Sequence, residues 1–132
     1  MKKTIFLFIL IFLTASNIFS QDRSGTIFYS SVERTEELYN IIIDIYEIHG
    51  TKYIEVELFD ANEIKLASNI ATLIHKDNKY YLKYNEEEKQ VVVQDINLAL
   101  KNPDNNIEYP MVKVKLLDQN YQVVDFSQKV FY

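Results

Sequence analysis

The stretch Tyr53-Ile54-Glu55-Val56-Glu57-Leu58-Phe59-Asp60-Ala61-Asn62-Glu63-Ile64-Lys65-Leu66 decides the reading of this chain. Ile54, Val56 and Leu58 alternate with Tyr53, Glu55 and Glu57. A period of two marks a strand with one face buried, because successive side chains of a strand point to opposite sides. Asp60-Ala61-Asn62 carries turn chemistry, and apolar residues resume at Ile64 and Leu66. The stretch therefore predicts a β-hairpin. It has an echo near the C-terminus, Val112-Lys113-Val114-Lys115-Leu116-Leu117-Asp118-Gln119-Asn120, followed by Val123-Val124. Between the two, Val56/Val114, Leu58/Leu116, Asp60/Asp118 and Asn62/Asn120 are identical.

Outward from this hairpin the chain reads as short strands. Thr26–Val32 is a first strand, and Glu33–Tyr39 is a loop or a single helical turn started by Thr35. Tyr39–Ile48 places Tyr39, Ile41, Ile43 and Ile45 on one face. His49-Gly50-Thr51 turns the chain into the opening stretch. After Leu66, Ile70–His75 continues as a strand beyond a bulge at Ser68-Asn69. Lys76-Asp77-Asn78 is a tight turn into Lys79–Tyr84, Asn85–Lys89 is a charged turn, and Val91–Val93 is a short β-branched strand. Asp95–Leu100 fits one helical turn capped by Asp95 or a strand carrying Ile96, Leu98 and Leu100; the alternation favours the strand. Lys101–Glu108 is a loop around Asn102-Pro103-Asp104-Asn105-Asn106, and Tyr109–Leu117 with Tyr121–Tyr132 forms a last hairpin.

Short strands with turn signals every ~8–12 residues and no long helical pattern predict an all-β sandwich or barrel. The charges choose between them. Glu55 and Glu57 face outward on the first hairpin, as do Lys113 and Lys115 on its echo. In an immunoglobulin-like antiparallel β-sandwich of about 7–9 strands, the third and next-to-last strands are antiparallel neighbours. That arrangement sets two glutamates against two lysines on one solvent face, a pairing that supports register. The run Leu100-Lys101-Asn102-Pro103, then Tyr109, Val112 and Val114, resembles the end of fibronectin type III domains. The resemblance covers residues 100–114 and implies a tyrosine corner at Tyr109, with no implication for function.

Residues 1–20 read as a secretory signal peptide. Lys2 and Lys3 precede the apolar run Ile5–Leu13, and Thr14–Asn17 turns polar. Ser20 stands before Gln21 as the small residue at the cleavage site, with the larger Ile18 two positions before it. The apolar run is far short of the ~20 residues that span a bilayer, so no membrane span is expected in the mature chain. Residues 21–132 are then one domain. The chain has no cysteine, which removes disulfides, thiol catalysis, thiolate metal sites and lipid attachment at a cleavage-site cysteine. Taking Lys2 and Lys3 from 14 basic residues leaves 12 against 19 acidic ones. An acidic mature chain is a poor match for nucleic acid or an anionic membrane surface.

Few residues suggest chemistry. His49 and His75 lack metal-ligand spacing, and Ser30, Ser31, Ser68 and Ser127 lie in no nucleophile elbow. Asp44, and the pair Glu55 and Glu57, are carboxylates on strand faces, where next-but-one residues are ~7 Å apart by geometry alone. The turns Asp60–Glu63, Asp77-Asn78, Asp104–Asn106 and Asp118–Asn120 are rich in oxygen, as calcium loops are, but with only two glycines in the chain they serve first as turns. No catalytic residue, metal or cofactor is expected. Tyr46, Tyr53 and Tyr81 point outward on these strand assignments, and Tyr39, Tyr80 and Tyr84 inward. Outward tyrosines stack on sugars or anchor a protein partner. The last strand is a candidate edge for pairing with another chain, guarded by Asp125 and Lys129. The expectation is a non-catalytic binding or structural module of a bacterial envelope, exported to the periplasm or beyond. It would act through protein–protein contacts on a sheet face or the C-terminal edge strand. The alternative is a small carbohydrate-binding domain using the outward tyrosines, with or without calcium.

Overall fold

The computed structural model describes residues 26–84 and 86–130, so the expected signal peptide lies outside the described residues. Nine strands follow in order: β1 (Ile27–Arg34), β2 (Leu38–Ile45), β3 (Tyr53–Phe59), β4 (Lys65–Lys76), β5 (Lys79–Tyr84), β6 (Glu87–Val91), β7 (Ile96–Lys101), β8 (Met111–Leu117) and β9 (Val123–Val130). No helix occurs among the described residues. The strands form two antiparallel sheets, β1-β2-β7 and β6-β5-β4-β3-β8-β9. The sheets enclose one core and make a β-sandwich.

The core follows the alternation. Tyr39, Ile41, Ile43 and Ile45 of β2 and Ile96, Leu98 and Leu100 of β7 are fully buried. Facing them are Ile54, Val56 and Leu58 of β3 and Val112, Val114 and Leu116 of β8. Burying each of these side chains contributes ~1.5–3 kcal/mol relative to exposure, so this two-faced aliphatic layer carries the fold without disulfides. Cross-sheet contacts run from β7 to β3 and β4, and from β1 to β9. On the β1 side the sheets are also tied by hydrogen bonds. Tyr29 donates to the Ser127 carbonyl at 2.8 Å, and Thr26 donates to Asp125.

Five expectations are corrected. The bulge in β4 falls at Leu66, where the register with β3 slips between Leu58 and Phe59, and Ser68 and Asn69 stay in regular pairing. The cause is the turn, whose bonds from Asp60 fix where pairing resumes. The valine run 91–93 is not a strand. The strand is Glu87–Val91, paired with β5 through Tyr84↔Glu87 to Tyr80↔Val91. A charged edge strand shows no hydrophobic alternation because it has little to bury. Val92 and Val93 instead form the turn to β7, with Asp95 N–H donating to the Val92 carbonyl and Ile45 N–H to that of Val93. β2 ends at Ile45, and Ile48 reaches the core from the following loop. β8 and β9 start at Met111 and Val123, two residues later than expected, because Tyr109 and Tyr121 adopt left-handed backbone. At Thr35 there is no helical turn. Its hydroxyl accepts from Leu38 N–H at 3.0 Å and closes the β1–β2 hairpin.

Candidate functional site

The outer face of the six-stranded sheet is where β3 and β8 meet, and their register is the expected one: Glu55 pairs with Lys115 and Glu57 with Lys113. Extended on either side by β4 and β9, this pairing gives rows of side chains across the face. One end row holds Tyr53 and Leu117, the middle rows hold the charges, and the other end row holds Phe59 and Met111.

At the first end, the ring of Tyr121 stacks on Tyr53, with centroids 4.3 Å apart and planes 8° from parallel. Tyr121 is 60% exposed, in a left-handed conformation in the β8–β9 turn. Hydrogen bonding and the charge of Tyr53 hold the Tyr121 phenol above the ordinary tyrosine range. Leu117, on the same face, is buried, while Val123 and Val124 beside it are half exposed.

In the middle, Lys115 Nζ lies 3.0 Å from Glu57 and 3.6 Å from Glu55, and Lys65 Nζ lies 3.3 Å from the other oxygen of Glu57. This corrects two expectations. Glu57 does not face solvent; it is only 4% exposed, enclosed by the two lysines that bind it. Lys113, its register partner, instead lies over the ring of Phe126 at 4.8 Å. A lysine beside an aromatic ring on the neighbouring strand gains a cation–π contact, and Glu57 already has two cations. Desolvation pulls the Lys115 pKa down, but the hydrogen bond and charge of Glu57, and then Glu55, outweigh it and leave it raised.

At the far end a hollow of about 400 Å³ opens among Phe59, Tyr109, Met111, Lys113, Gln128 and Val130. Tyr109, the expected tyrosine corner, is 53% exposed with φ of 52° and lines this hollow.

The three outward tyrosines do not form one patch. Tyr53 and Tyr81 share the outer face of the six-stranded sheet, roughly 12 Å apart by sheet geometry. Tyr81 lies under Lys76, whose Nζ is 5.0 Å from its ring centroid. Tyr46, 70% exposed, follows β2 of the other sheet and packs on Phe28 with centroids 4.9 Å apart. Of the inward set, Tyr39 is fully buried, and Tyr80 and Tyr84 pack at the rim of the core.

The structure brings both histidines to one small hollow of about 170 Å³ beside Tyr80. His75 stacks on Tyr80 at 4.3 Å, and His49 Nδ1 lies 3.2 Å from Glu47. Among the described residues no three His, Asp or Glu side chains gather as a metal site. The oxygen-rich turns use their carboxylates on their own backbone. Asp60 Oδ1 accepts from Asn62 and Ile64 N–H, and Asp118 Oδ1 from Asn120 and Gln122 N–H. In the loop 102–108, Asp104 Oδ1 accepts from Asn106 N–H, and Arg34 donates to the carbonyls of Asp104 and Ile107.

Sequence reasoning missed Tyr121 and Tyr109 on this face and Tyr29 between the sheets. A signal for Tyr121 was present: the echo aligns it with Glu63, the turn position that adopts positive φ in both hairpins. No protein-family model matches the chain, and neither the curated proteins nor the solved structures compared with it give a match.

Proposed function

We propose that the chain is an exported, non-catalytic binding or structural module of a bacterial envelope, built as an immunoglobulin-like sandwich, that meets a protein partner through the outer face of its six-stranded sheet. The strand order supports the fold assignment. In that family the first, second and fifth strands form one sheet and the third, sixth and seventh the other. The order β1-β2-β7 opposite β4-β3-β8-β9 has the same arrangement once β5 and β6 are counted as additions between them. The observation that carries the function is the stacked Tyr53–Tyr121 pair with half-exposed Val123 and Val124 beside it. Rigid aromatics beside exposed aliphatics are the usual anchors of protein interfaces. The C-terminal edge strand is the weaker choice, because Tyr29 and Thr26 already bond to it. Export rests on Lys2, Lys3 and the apolar run that follows.

The test is site-specific photocrosslinking in envelope extract, with the reactive group placed at Tyr121 and, as control, at Leu38 on the other sheet. A partner captured from position 121 alone, and lost on Tyr53→Ser, is the expected result. Equal capture from both positions, or none from 121, sinks the proposal.

The hollow at the opposite end favours the second reading, a carbohydrate site. Tyr109 offers a ring face, and Gln128 and Lys113 offer polar groups over an apolar floor. A glycan array with and without chelator tests it, with Tyr109→Ser as the control. Binding that survives that substitution counts against the hollow.

A further inference from the structure

The two long sides of the sandwich are closed differently. On one side β1 and β9 are tied by Tyr29 and Thr26. On the other, β6 and β7 are edges of their sheets among the described residues, joined at one end by the turn Val92–Asp95. Between them runs a groove of about 600 Å³ with Leu82, Tyr84 and Val91 as its apolar wall and Asn97 on its β7 bank.

The backbone of β7 is set to receive a strand. Just past its end, Asn102 N–H bonds to the Glu37 carbonyl, in register with β2. Bonded and non-bonded pairs alternate in an antiparallel ladder. Leu100, Leu98 and Ile96 therefore bond to β2, and Lys101, Ala99 and Asn97 turn their N–H and C=O groups to the free edge. The bond from Asn69 Nδ2 to the Ala99 carbonyl at 3.3 Å agrees with this phase and caps only that carbonyl. Tyr84, which lines the groove, buries its hydroxyl without a hydrogen-bond partner among the described residues. Burial pushes its phenol up to about 12. Groove-lining residues set Glu87 and Asp95 against one cation, Lys89, in a chain of net charge −5.

We propose that this groove takes an extended segment of a partner protein, with alternating apolar and basic side chains, added to β7 as a fourth strand of the smaller sheet. Its main chain pairs with Asn97. Its apolar side chains lie on Leu82 and Val91, and its basic ones, on the opposite side of the added strand, face Asp95. Strand addition of this kind draws affinity from main-chain bonds and specificity from alternate side chains. The site is separate from the outer-face surface and adds to the binding-module reading without depending on Tyr53 or Tyr121.

The probe is a labelled peptide of about eight residues alternating valine and lysine, the length of an ordinary strand, read by fluorescence anisotropy against a block-ordered peptide of the same composition. The alternating peptide is expected to bind about tenfold or more tightly than the block peptide and to slow exchange of the Asn97 amide. Asn97→Pro removes the edge donor without touching the β2 ladder, so it should keep the melting profile and weaken binding about tenfold or more. Tyr53→Ser should leave this binding unchanged, which separates failure here from failure of the outer-face proposal. Equal binding of the two peptides, no binding, or protection confined to the outer face overturns the inference. If Asn97→Pro unfolds the chain, the phase assigned to β7 is wrong and the inference falls with it.

Discussion

The hairpins β3–β4 and β8–β9 have the same turn and different uses for it. In both, the Asp at the first turn position bonds the N–H groups two and four residues on, at 2.8 and 3.0 Å in each case. In both, its own N–H bonds the carbonyl four residues on, at 3.0 and 2.9 Å. The fourth residue has positive φ, 63° at Glu63 and 62° at Tyr121. The side chain at that position differs in kind and in use. Glu63 is exposed at the edge of the 400 Å³ hollow, whereas Tyr121 folds back onto Tyr53. A repeated backbone therefore presents two different surfaces at opposite ends of one sheet face.

The contact between the hairpins offers the largest effect. Glu57→Lys places a third cation beside Lys65 and Lys115 at a nearly buried site. It should cost about 3–5 kcal/mol by denaturant unfolding, the range for breaking a buried pair. Adding Lys115→Glu should restore part of the loss and Lys113→Glu should not, because Lys113 lies on Phe126. Rescue by Lys113→Glu would return the pairing to simple register partners.

The turns themselves should behave as equals. Asp60→Ala and Asp118→Ala each remove an acceptor of two backbone bonds and should each cost about 1–2 kcal/mol. A difference larger than about 1 kcal/mol in thermal unfolding would show that the two turns are alike in shape only. The fourth position should then separate them. Glu63→Gly relieves left-handed backbone and should gain about 1 kcal/mol. Tyr121→Gly gains the same relief but loses a stack worth about 0.5–1.5 kcal/mol, so its stability should hardly move. A clear gain at both sites would mean the Tyr53–Tyr121 stack contributes little.

The smallest effect is in pH. Lys115 binds its proton more tightly folded than unfolded, because Glu57 and Glu55 overcome its desolvation. A raised folded pKa contributes stability below the unfolded value, ordinarily 10.5, and loses it as pH rises through the folded value. Unfolding free energy should fall more steeply above about pH 10.5 in the native chain than in Lys115→Met. Parallel slopes would remove Lys115 from the link between the hairpins.

Much of the fold was legible because alternation has a direct cause. A residue between two sheets has one face to bury, so Ile41, Ile54 and Leu98 announce themselves, and the Glu/Lys echo located the β3–β8 register. β6 was illegible for the same reason reversed: an edge strand with charged side chains shows no period. The candidate face was half legible. Tyr53 was found from its outward position. Tyr121 was missed because a tyrosine with positive φ is rare enough that the residue reads as the start of a strand. Glu57 was placed in solvent because period two gives the side of a sheet and not what lies over it.

The sequence alone determined most of the strands and turns, β6 excepted, and the partner of β3, because each depends on residues close in the chain or on a charge pattern repeated within it. Only the tertiary structure decided that Lys65 and Lys115, not Lys113, enclose Glu57, that Tyr121 lies on Tyr53, and that β7 is an edge of its sheet among the described residues. Those outcomes depend on which side chains meet across strands distant in sequence and on how far one sheet extends past the other. Neither is written in any local pattern.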